Sequence, residues 1–276
     1  MKKYKALTIA GSDSSGGAGI QADIKTFQEL GVYGMSAITA VTAQNTYGVQ
    51  AVYPLPPRAV SDQLDSIALD MGADSVKTGM LFSGEIIKEV SEKVKEYQLK
   101  NLVVDPVMIA KGGASLLQQE AVSALENHLI PLAKVVTPNI PEAEALTGST
   151  IASLHERELA AKRIFEMGAE FIVIKGGHDE SGGKVIDLLY DGLNFIYLES
   201  SRVNTRHTHG TGCTFSSAIT AELAKGSNVV DAVRTAKLFI QAAIEETLFI
   251  GGGHGPTNHW AYQHRKREQD YDKKRY

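Results

Sequence analysis

Strand-like and helix-like segments alternate along almost the whole chain, and this alternation is the feature that most limits its possible folds. The first unit is "ALTIAG" (6–11), a short apolar run, followed by apolar residues at helical spacing from Ile20 to Leu30. Parallel strands need a long crossover to return the chain, and a helix usually provides it. The pattern therefore predicts a three-layer α/β/α fold with a mostly parallel central sheet.

The same pattern gives approximate bounds for the other elements. We predict strands over 35–44, 74–80, 101–107, 134–139 and 171–177, and helices over 59–71, 84–97, 118–128, 154–167, 213–225 and 229–247. A late antiparallel hairpin is predicted within 185–200, because Asp191-Gly192 is a typical hairpin turn. Residues 1–264 contain no repeat or low-complexity linker and are expected to form a single domain. The mixed-charge segment 265–276 is expected to be a flexible tail.

Composition excludes several classes of protein. Charged residues make up 22% of the chain and the net charge is -4, so the basic excess of a nucleic-acid-binding protein is absent. The apolar stretches are too short for a membrane span or for the hydrophobic region of a signal peptide. The single cysteine cannot form an internal disulfide and fits a reducing compartment. We therefore expect a cytoplasmic protein that binds neither nucleic acid nor membranes.

Polar residues follow the predicted strands at the sheet edge where α/β proteins bind ligands. Asp105 and Glu142 supply two carboxylates there, and Lys175 ends the strand "FIVIK". Mg²⁺ is usually held by one or two carboxylates together with phosphate oxygens and water. Asp105 and Glu142 are therefore candidate magnesium ligands, and Lys175 is a candidate contact for nucleotide phosphates. Either carboxylate could instead cap a helix, and Lys175 could be a surface lysine.

The segment "HTHGTGC" (207–213) precedes a predicted helix and is the second candidate site. Gly210 and Gly212 leave room for the backbone N–H groups of a helix N-terminus to approach an anion, such as a phosphoryl group in transfer. The same position favours the thiolate of Cys213, the sole cysteine. The segment could therefore hold an anion, a nucleophile, or both. A plain helix cap is the structural alternative.

Other chemistries have weaker support in the sequence. A zinc site built from His207, His209 and Cys213 lacks a fourth ligand. The loop "GSDSSGGAG" (11–19) contains part of a dinucleotide-binding pattern, but six residues separate that pattern from the strand, so a flexible loop over the substrate explains the glycines better. No phosphate loop of the Walker type is present. Residues 12–19 and 110–115 are the candidate closing loops.

Seven motifs in the same order resemble the bifunctional hydroxymethylpyrimidine and phosphomethylpyrimidine kinases of thiamine biosynthesis, which belong to the ribokinase-like superfamily. They are "LTIAGSDSSGGAGIQADIKTFQELGVYGMSAITAVTAQNT", "KTGM", "VVDPVMIAKGG", "VVTPNIPEAEALTG", "VIKGGH", "THGTGCTFSSAITAELAKG" and "GHGPTNHW". The resemblance extends from about residue 5 to residue 262. It implies a ribokinase-like fold, a homodimer, and Mg²⁺-dependent transfer from ATP to hydroxymethylpyrimidine and then to its monophosphate, giving the diphosphate.

The resemblance also implies roles for individual residues. The catalytic anion hole would consist of Gly210, Thr211, Gly212 and Cys213, with Asp105 and Glu142 for the metal. The acceptor would be bound by Gly11, Asp13, Ala18, Asp23, Gln44 and Met80. ATP would lie along Asn139, Lys175, Thr208, His209 and Lys237.

Cys213 occupies the position at which most members of the superfamily have an aspartate base. A phosphate-monoester acceptor arrives with nearly two negative charges. A carboxylate about 4 Å away would oppose it by on the order of 4 kcal/mol at an effective dielectric near 20, whereas a neutral thiol would not. We hypothesise that the thiol lets one site use both acceptors, with a thiolate serving the alcohol step.

Three alternative functions remain open at this point. A pyridoxine or pyridoxal kinase, or a dual-specificity enzyme, belongs to the same reaction class, and there Cys213 could add covalently to an aldehyde. Gln44 favours the pyrimidine, because its amide offers a donor and an acceptor to an aminopyrimidine edge. A non-catalytic vitamin-precursor sensor would have no use for both a metal site and a thiol. The interpretation as a nicotinamide oxidoreductase rests only on the partial dinucleotide-binding pattern at residues 17–22.

Overall fold

The computed structural model describes residues 2–108, 119–179 and 183–273. The candidate closing loop at 110–115 lies outside these residues. The strands are β1 Lys5–Asp13, β2 Tyr33–Asn45, β3 Gly48–Pro54, β4 Ser75–Thr78, β5 Leu102–Val104, β6 Val135–Val136, β7 Phe171–Ile174, β8 Lys184–Tyr190 and β9 Phe195–Ser201. The helices are α1 Gly19–Glu29, α2 Pro57–Asp70, α3 Gly84–Glu96, α4 Gln119–Ala124, α5 Ile140–Thr147, α6 Leu154–Glu166, α7 Thr211–Ala224, α8 Val229–Glu245 and α9 Ala261–Lys273.

One sheet contains the nine strands of the described residues, in the order β3-β2-β1-β4-β5-β6-β7-β8-β9. The six neighbouring strands β2, β1, β4, β5, β6 and β7 are parallel to one another. At one edge, β8 is antiparallel to β7 and forms the antiparallel hairpin with β9. The predicted mostly parallel sheet with a late hairpin is therefore confirmed. The antiparallel edge strand β3 was not predicted, because "GVQAVYP" is partly exposed and lacks a continuous apolar run.

Two layers of helices cover the sheet, because successive residues of each buried strand point to opposite faces. Val104 of β5 packs in a core with residues of α2 to α6, and Val103 packs in a second core with residues of α1, α7 and α8. Ile172 and Val173 of β7 divide between the two cores in the same way. The predicted α/β/α arrangement is confirmed.

Three helical segments differ from the prediction. The segment predicted as one helix near 118–128 is α4 followed by a π-helical turn over Leu125–Leu129, and the short helix α5 was not predicted. The tail predicted from residue 265 is helical as far as Lys273, in α9. Arg265 forms ion pairs with Glu245 and Glu246 near the end of α8, and such a highly charged helix has no apolar stripe by which to recognise it. None of the described helices is long and apolar enough to cross a bilayer.

Candidate active site

A cleft of about 630 Å³ lies at the carboxyl ends of the parallel strands, where the sequence placed the ligand site. It extends from the loop after β1 to the hairpin β8-β9, and the first turn of α7 forms part of its wall. Sixteen of the seventeen candidate residues line it: Gly11, Asp13, Ala18, Gln44, Met80, Asp105, Asn139, Glu142, Lys175, Thr208, His209, Gly210, Thr211, Gly212, Cys213 and Lys237. Asp23 is not among the lining residues.

A lysine lies between the two candidate metal-binding carboxylates. Lys175 Nζ is 2.7 Å from Asp105 Oδ1 and 3.9 Å from Glu142 Oε2. Thr137 and Ser216 also donate hydrogen bonds to Asp105, at 3.1 and 3.2 Å. The side chains of Asp105 and Glu142 are almost fully buried, so the cluster is a desolvated group of two acids and one base.

Local sequence explains how Glu142 reaches this cluster. Asn139 caps α5 by accepting a hydrogen bond from the Glu142 N–H at 2.8 Å, and Glu142 Oε2 accepts one from the Asn139 N–H at 2.8 Å. This reciprocal capping box fixes the first turn of α5 against the sheet edge. The capping role and the cluster therefore involve the same carboxylate, and neither excludes the other.

The two acids differ in their electrostatics. Burial raises the pKa of Asp105, but the Lys175 and Lys77 ammonium groups outweigh it, so the net pKa is below its ordinary value. Burial also raises the pKa of Glu142, to about 7; the charge of Asp105 adds to the rise and Lys175 opposes it. The two lysines thus keep Asp105 ionised, whereas Glu142 is partly protonated near neutral pH.

The first turn of α7 faces this cluster. Gly210 caps the helix with φ of 81°, and a Cβ on it would lie 1.8 Å from the carbonyl oxygen of Gly17. A Cβ on Gly212 would lie 3.2 Å from Lys175 Nζ and 3.8 Å from Asp105 Oδ2. The two glycines therefore bring the backbone N–H groups of a helix N-terminus next to a lysine, an arrangement suited to a phosphoryl group.

Cys213 lies in the same turn, and its electrostatics favour the thiol, whereas the helix N-terminus alone was expected to favour the thiolate. The pKa of Cys213 is raised to about 11, mainly by burial and also by the charges of Asp23 and Asp105. Lys77 and a hydrogen bond from the Gly19 N–H oppose this rise without cancelling it. The stabilisation that a helix N-terminus gives to a thiolate is therefore smaller than the desolvation of its charge.

Asp23 is buried behind the cleft, although the resemblance implied that it binds the acceptor. Its carboxylate forms an ion pair with Lys77 at 2.9 Å and accepts hydrogen bonds at 2.6 Å from Thr8 and from Ser217 of α7. Lys77 is fully buried and lines the floor of the cleft close to Cys213 and Asp105. The sequence signal for this ion pair is a lysine inside the strand "SVKT", which is wholly buried. No role was predicted for that lysine.

The end of the cleft for which the resemblance implied acceptor binding is formed by β1, β2 and the segment after β4. A Cβ on Gly11 would lie 2.3 Å from Met80 Cε, so glycine at this position makes room for the methionine. Asp13 folds the glycine-rich loop by accepting hydrogen bonds from the backbone N–H groups of Gly17 and Ala18, at 3.1 and 2.8 Å. The side chain of Asp13 is thus engaged in shaping the loop.

His209, which the resemblance placed along ATP, contacts Asp13 and Gln44, for which the resemblance implied acceptor binding. Its Nε2 is 2.8 Å from Asp13 Oδ2 and 3.2 Å from the side-chain amide of Gln44. The opposite end of the cleft contains Lys237, which forms an ion pair with Asp187 at 2.6 Å. Asp187 also accepts a hydrogen bond from the Gly176 N–H at 2.7 Å, and so fixes the turn after β7.

Comparison with known proteins identifies the family of this chain. A family model described as phosphomethylpyrimidine kinase matches residues 13–258. The chain belongs to this family. A hydroxymethylpyrimidine/phosphomethylpyrimidine kinase of Bacillus subtilis is 56% identical to it over 263 residues, or 95% of this chain and 97% of the relative. The predicted family and the predicted kinase class are therefore confirmed.

Relatives of this kinase also include vitamin B6 enzymes. A pyridoxine kinase of Bacillus subtilis is 48% identical over 265 residues, or 95% of this chain and 97% of the relative. An ADP complex of Bacillus subtilis pyridoxal kinase matches the structure with a TM-score of 0.89 at 47% identity, over 95% of this chain and 99% of that chain. The predicted ribokinase-like fold is confirmed by this match.

The acidic cluster of the kinase fits a divalent cation bound together with a nucleotide. Within the described ranges, no group of three or more His, Cys, Asp or Glu side chains is arranged to hold a metal, so the zinc interpretation has no support. Asp105 and Glu142 share one lysine, and burial together with the charge of Asp105 keeps the pKa of Glu142 high, so the pair can accommodate a further positive charge. Mg²⁺ would supply that charge and take its remaining ligands from phosphate and water.

Replacing Gly210 by alanine is expected to lower the kcat of the kinase by roughly 10²–10³-fold, the loss typical of removing one anion-hole donor. The added Cβ would overlap the Gly17 carbonyl oxygen and force the first turn of α7 away from the cluster. The kcat of each variant is measured from the rate of ADP release at saturating substrate. Gly226→Ala is the matched control, because Gly226 follows the other end of α7 with φ of 91° and has nothing within 4 Å of a Cβ. Equal losses in both variants would contradict this explanation.

Proposed function

We propose that the protein transfers the γ-phosphoryl group of ATP to 4-amino-5-hydroxymethyl-2-methylpyrimidine and then a second one to the resulting monophosphate. The observation that carries the proposal is a neutral thiol where a kinase of this kind needs contact with its acceptor: Cys213, with a pKa of about 11, lies in the first turn of α7 beside Lys175. Such a group repels neither an uncharged alcohol nor a phosphate monoester. The 56% identical relative carries the name of both activities.

The described residues divide the work of transfer along the cleft. Lys175 and the N–H groups of the first turn of α7 would hold the transferring phosphoryl group, whose charge is spread over its oxygens. Because phosphoryl transfer proceeds through a loose transition state, positioning and charge stabilisation matter more than a strong base. Cys213 keeps its proton at neutral pH, so we assign it a place beside the acceptor oxygen and not the role of a ready base.

Asp105 and Glu142 would hold Mg²⁺, which when bound neutralises charge on the phosphate oxygens. The two carboxylates would fix the ion at the sheet edge. Lys175 could then exchange its contact with Asp105 for a contact with phosphate. The capping box keeps Glu142 in place during this exchange. ATP would then extend from the cluster towards Lys237 and the turn after β7.

A pyridoxal kinase is the second candidate, favoured by the 48% identical pyridoxine kinase and by the structural match to pyridoxal kinase. Gln44 favours the pyrimidine, since an amide can pair with the adjacent ring nitrogen and amine of an aminopyrimidine. The decisive experiment is coupled ADP release with ATP and Mg²⁺, offering the hydroxymethylpyrimidine, its monophosphate and pyridoxal separately. We expect turnover of both pyrimidines; turnover of pyridoxal alone would assign the protein to vitamin B6 metabolism.

The apparent affinity for Mg²⁺ in the presence of ADP is expected to rise about tenfold per pH unit below pH 7 and to level off above it, because metal binding requires the ionised Glu142 carboxylate. Titration calorimetry between pH 5.5 and 8.5 measures this dependence. Glu142→Gln is expected to weaken binding and to remove most of the slope. An unchanged slope in that variant would show that another group titrates.

The same pKa has a consequence for stability. A glutamate whose folded-state pKa is raised keeps a proton that the unfolded chain releases from about pH 4.5, so its contribution is present below that pH and is lost as the pH rises to 7. Without Mg²⁺, Glu142→Gln should therefore unfold at a higher temperature than the unmodified protein at pH 8, with a smaller difference at pH 5. The reverse order would contradict the assignment of this pKa.

We further propose that the protein is a homodimer in the cytoplasm, as its resemblance to the family implied. The sole cysteine fits a reducing compartment, and several large apolar side chains are exposed near the edge strand β3, among them Tyr47, Tyr53 and Phe249. Analytical ultracentrifugation at micromolar concentration tests the oligomeric state.

A further inference from the structure

The imidazole of His209 contacts two polar side chains through the same nitrogen. Its Nε2 lies 2.8 Å from Asp13 Oδ2 and 3.2 Å from one end of the Gln44 side-chain amide. The other end of that amide is 3.1 Å from the Thr42 hydroxyl, which is also 3.0 Å from the carbonyl oxygen of Ser12. Four groups therefore share a few protons, and the position of each proton restricts the next.

The Asp13 carboxylate determines where the first proton lies. It accepts hydrogen bonds from the backbone N–H groups of Ser15, Gly17 and Ala18 and from the Ser15 hydroxyl. A carboxylate surrounded by so many donors is ionised and acts solely as an acceptor. At 2.8 Å, His209 Nε2 must therefore carry a proton and donate it to Asp13, since two lone pairs at that distance would repel.

A protonated Nε2 in turn restricts the amide of Gln44. With its nitrogen towards His209, two donors would face each other, and the Thr42 hydroxyl would have to donate its single proton to both Gln44 and Ser12. A half-turn of the amide removes the facing donors and leaves Thr42 with one acceptor. Gln44 Oε1 then faces the His209 Nε2–H and shares it with Asp13, as the longer branch of a three-centre hydrogen bond. Gln44 Nε2 donates to Thr42, and Thr42 donates to the carbonyl oxygen of Ser12.

We infer that Asp13, His209 and Thr42 are positioning residues that fix the Gln44 amide with its oxygen towards His209 and its nitrogen towards Thr42, and thereby select the ring edge of the acceptor. This inference rests on the proposed function. One lone pair of Gln44 Oε1 and one N–H of Gln44 Nε2 are left for a ligand. The site therefore takes a heteroaromatic ring with an exocyclic amine on the His209 side and an adjacent ring nitrogen on the Thr42 side.

The orientation can be tested without substrate by ¹⁵N NMR of the histidine side chains, with His209 assigned from the signals missing in His209→Met. We expect a proton on Nε2 of His209 at pH 7.5 and its persistence in Gln44→Met, because Asp13 alone holds it. An Nε2 without a proton would overturn the inference, since the Gln44 nitrogen could then donate to it.

Kinetics test the selection through a double-mutant cycle. Thr42→Val and His209→Met are each expected to raise the KM for hydroxymethylpyrimidine about tenfold, which corresponds to about 1.4 kcal/mol, with less than a twofold change in the KM for ATP. In a Gln44→Met background the same changes should alter the KM for the pyrimidine less than twofold, because the amide they orient is absent. His209→Gln, which restores an N–H donor, should recover part of the loss.

The control is His155→Met, which replaces an exposed histidine of α6 far from the cleft and should leave both KM values unchanged. Equal effects of Thr42→Val with and without Gln44, or an equal rise in the KM for ATP, would overturn the inference in favour of a general structural role. Failure of the unmodified protein to use any pyrimidine would instead contradict the proposed function, and the NMR result would still decide the orientation of Gln44.

Discussion

Replacing Cys213 by aspartate is expected to lower kcat/KM for the phosphate-monoester acceptor by on the order of 10³-fold, while the hydroxymethyl acceptor loses far less. The reason is charge: like charges about 4 Å apart oppose each other by on the order of 4 kcal/mol at an effective dielectric near 20. The native thiol carries no charge at neutral pH, because burial raises its pKa to about 11. The difference is measured by determining kcat/KM for each acceptor separately, with ADP release as the assay.

Cys213→Ser is the control for this prediction, since it keeps a small neutral group in the first turn of α7. We expect it to retain both activities within about tenfold. Retention of monophosphate turnover by Cys213→Asp at the unmodified kcat/KM would show that the second acceptor does not approach residue 213. A matching loss in the serine variant would show that sulfur itself, and not neutrality, matters.

Replacing Lys77 by methionine is expected to reduce the free energy of unfolding by about 3–5 kcal/mol, because it leaves the buried carboxylate of Asp23 without its cation. Both side chains of this pair are fully buried, and Asp23 also binds Thr8 of β1 and Ser217 of α7. The unpaired charge would therefore lie between the sheet and α7. For a chain of this size we expect a fall in Tm of about 10 °C.

Urea unfolding of Lys77→Met beside Lys88→Met tests this prediction, since Lys88 is an exposed lysine on α3 and its loss should change stability by less than about 0.5 kcal/mol. A Lys77→Met/Asp23→Leu double variant removes both charges and should recover much of the loss. Similar stability of Lys77→Met and the unmodified protein would mean that Asp23 takes up a proton at little cost.

Most of the fold could be predicted from the sequence, because the parallel strands are buried on both faces and form continuous apolar runs. β5 and β7 are of this kind, and their carboxyl ends delivered Asp105 and Lys175 to one edge as expected. β3 has no such run, and α9 is held by charged side chains, so neither has the apolar periodicity on which the prediction depends. Apolar pattern thus predicts the elements that build the core and misses those at its margins.

Proximity to the cleft was easier to predict than the partner of each side chain. Position after a strand places Asp13 and His209 in the cleft, but not the hydrogen bond between them, which joins residues 196 positions apart. Position at a helix N-terminus likewise suggested a thiolate at Cys213, whereas the burial that reverses this effect depends on the packing of several elements. Electrostatic states of buried groups are tertiary properties and have no local sequence signal.

The contact between the backbones of Gly17 and Gly210 places the glycine-rich loop after β1 directly on the first turn of α7, with no side chain between them. In the proposed function, the distance from acceptor to phosphoryl group would thus be set by main-chain atoms, which substitutions elsewhere in the cleft leave in place. In the proposed function, side chains that would contact the acceptor ring, such as Gln44 and Met80, could then change without altering the reach of the transfer. A scaffold of this kind can diversify its range of acceptors while its chemistry stays constant.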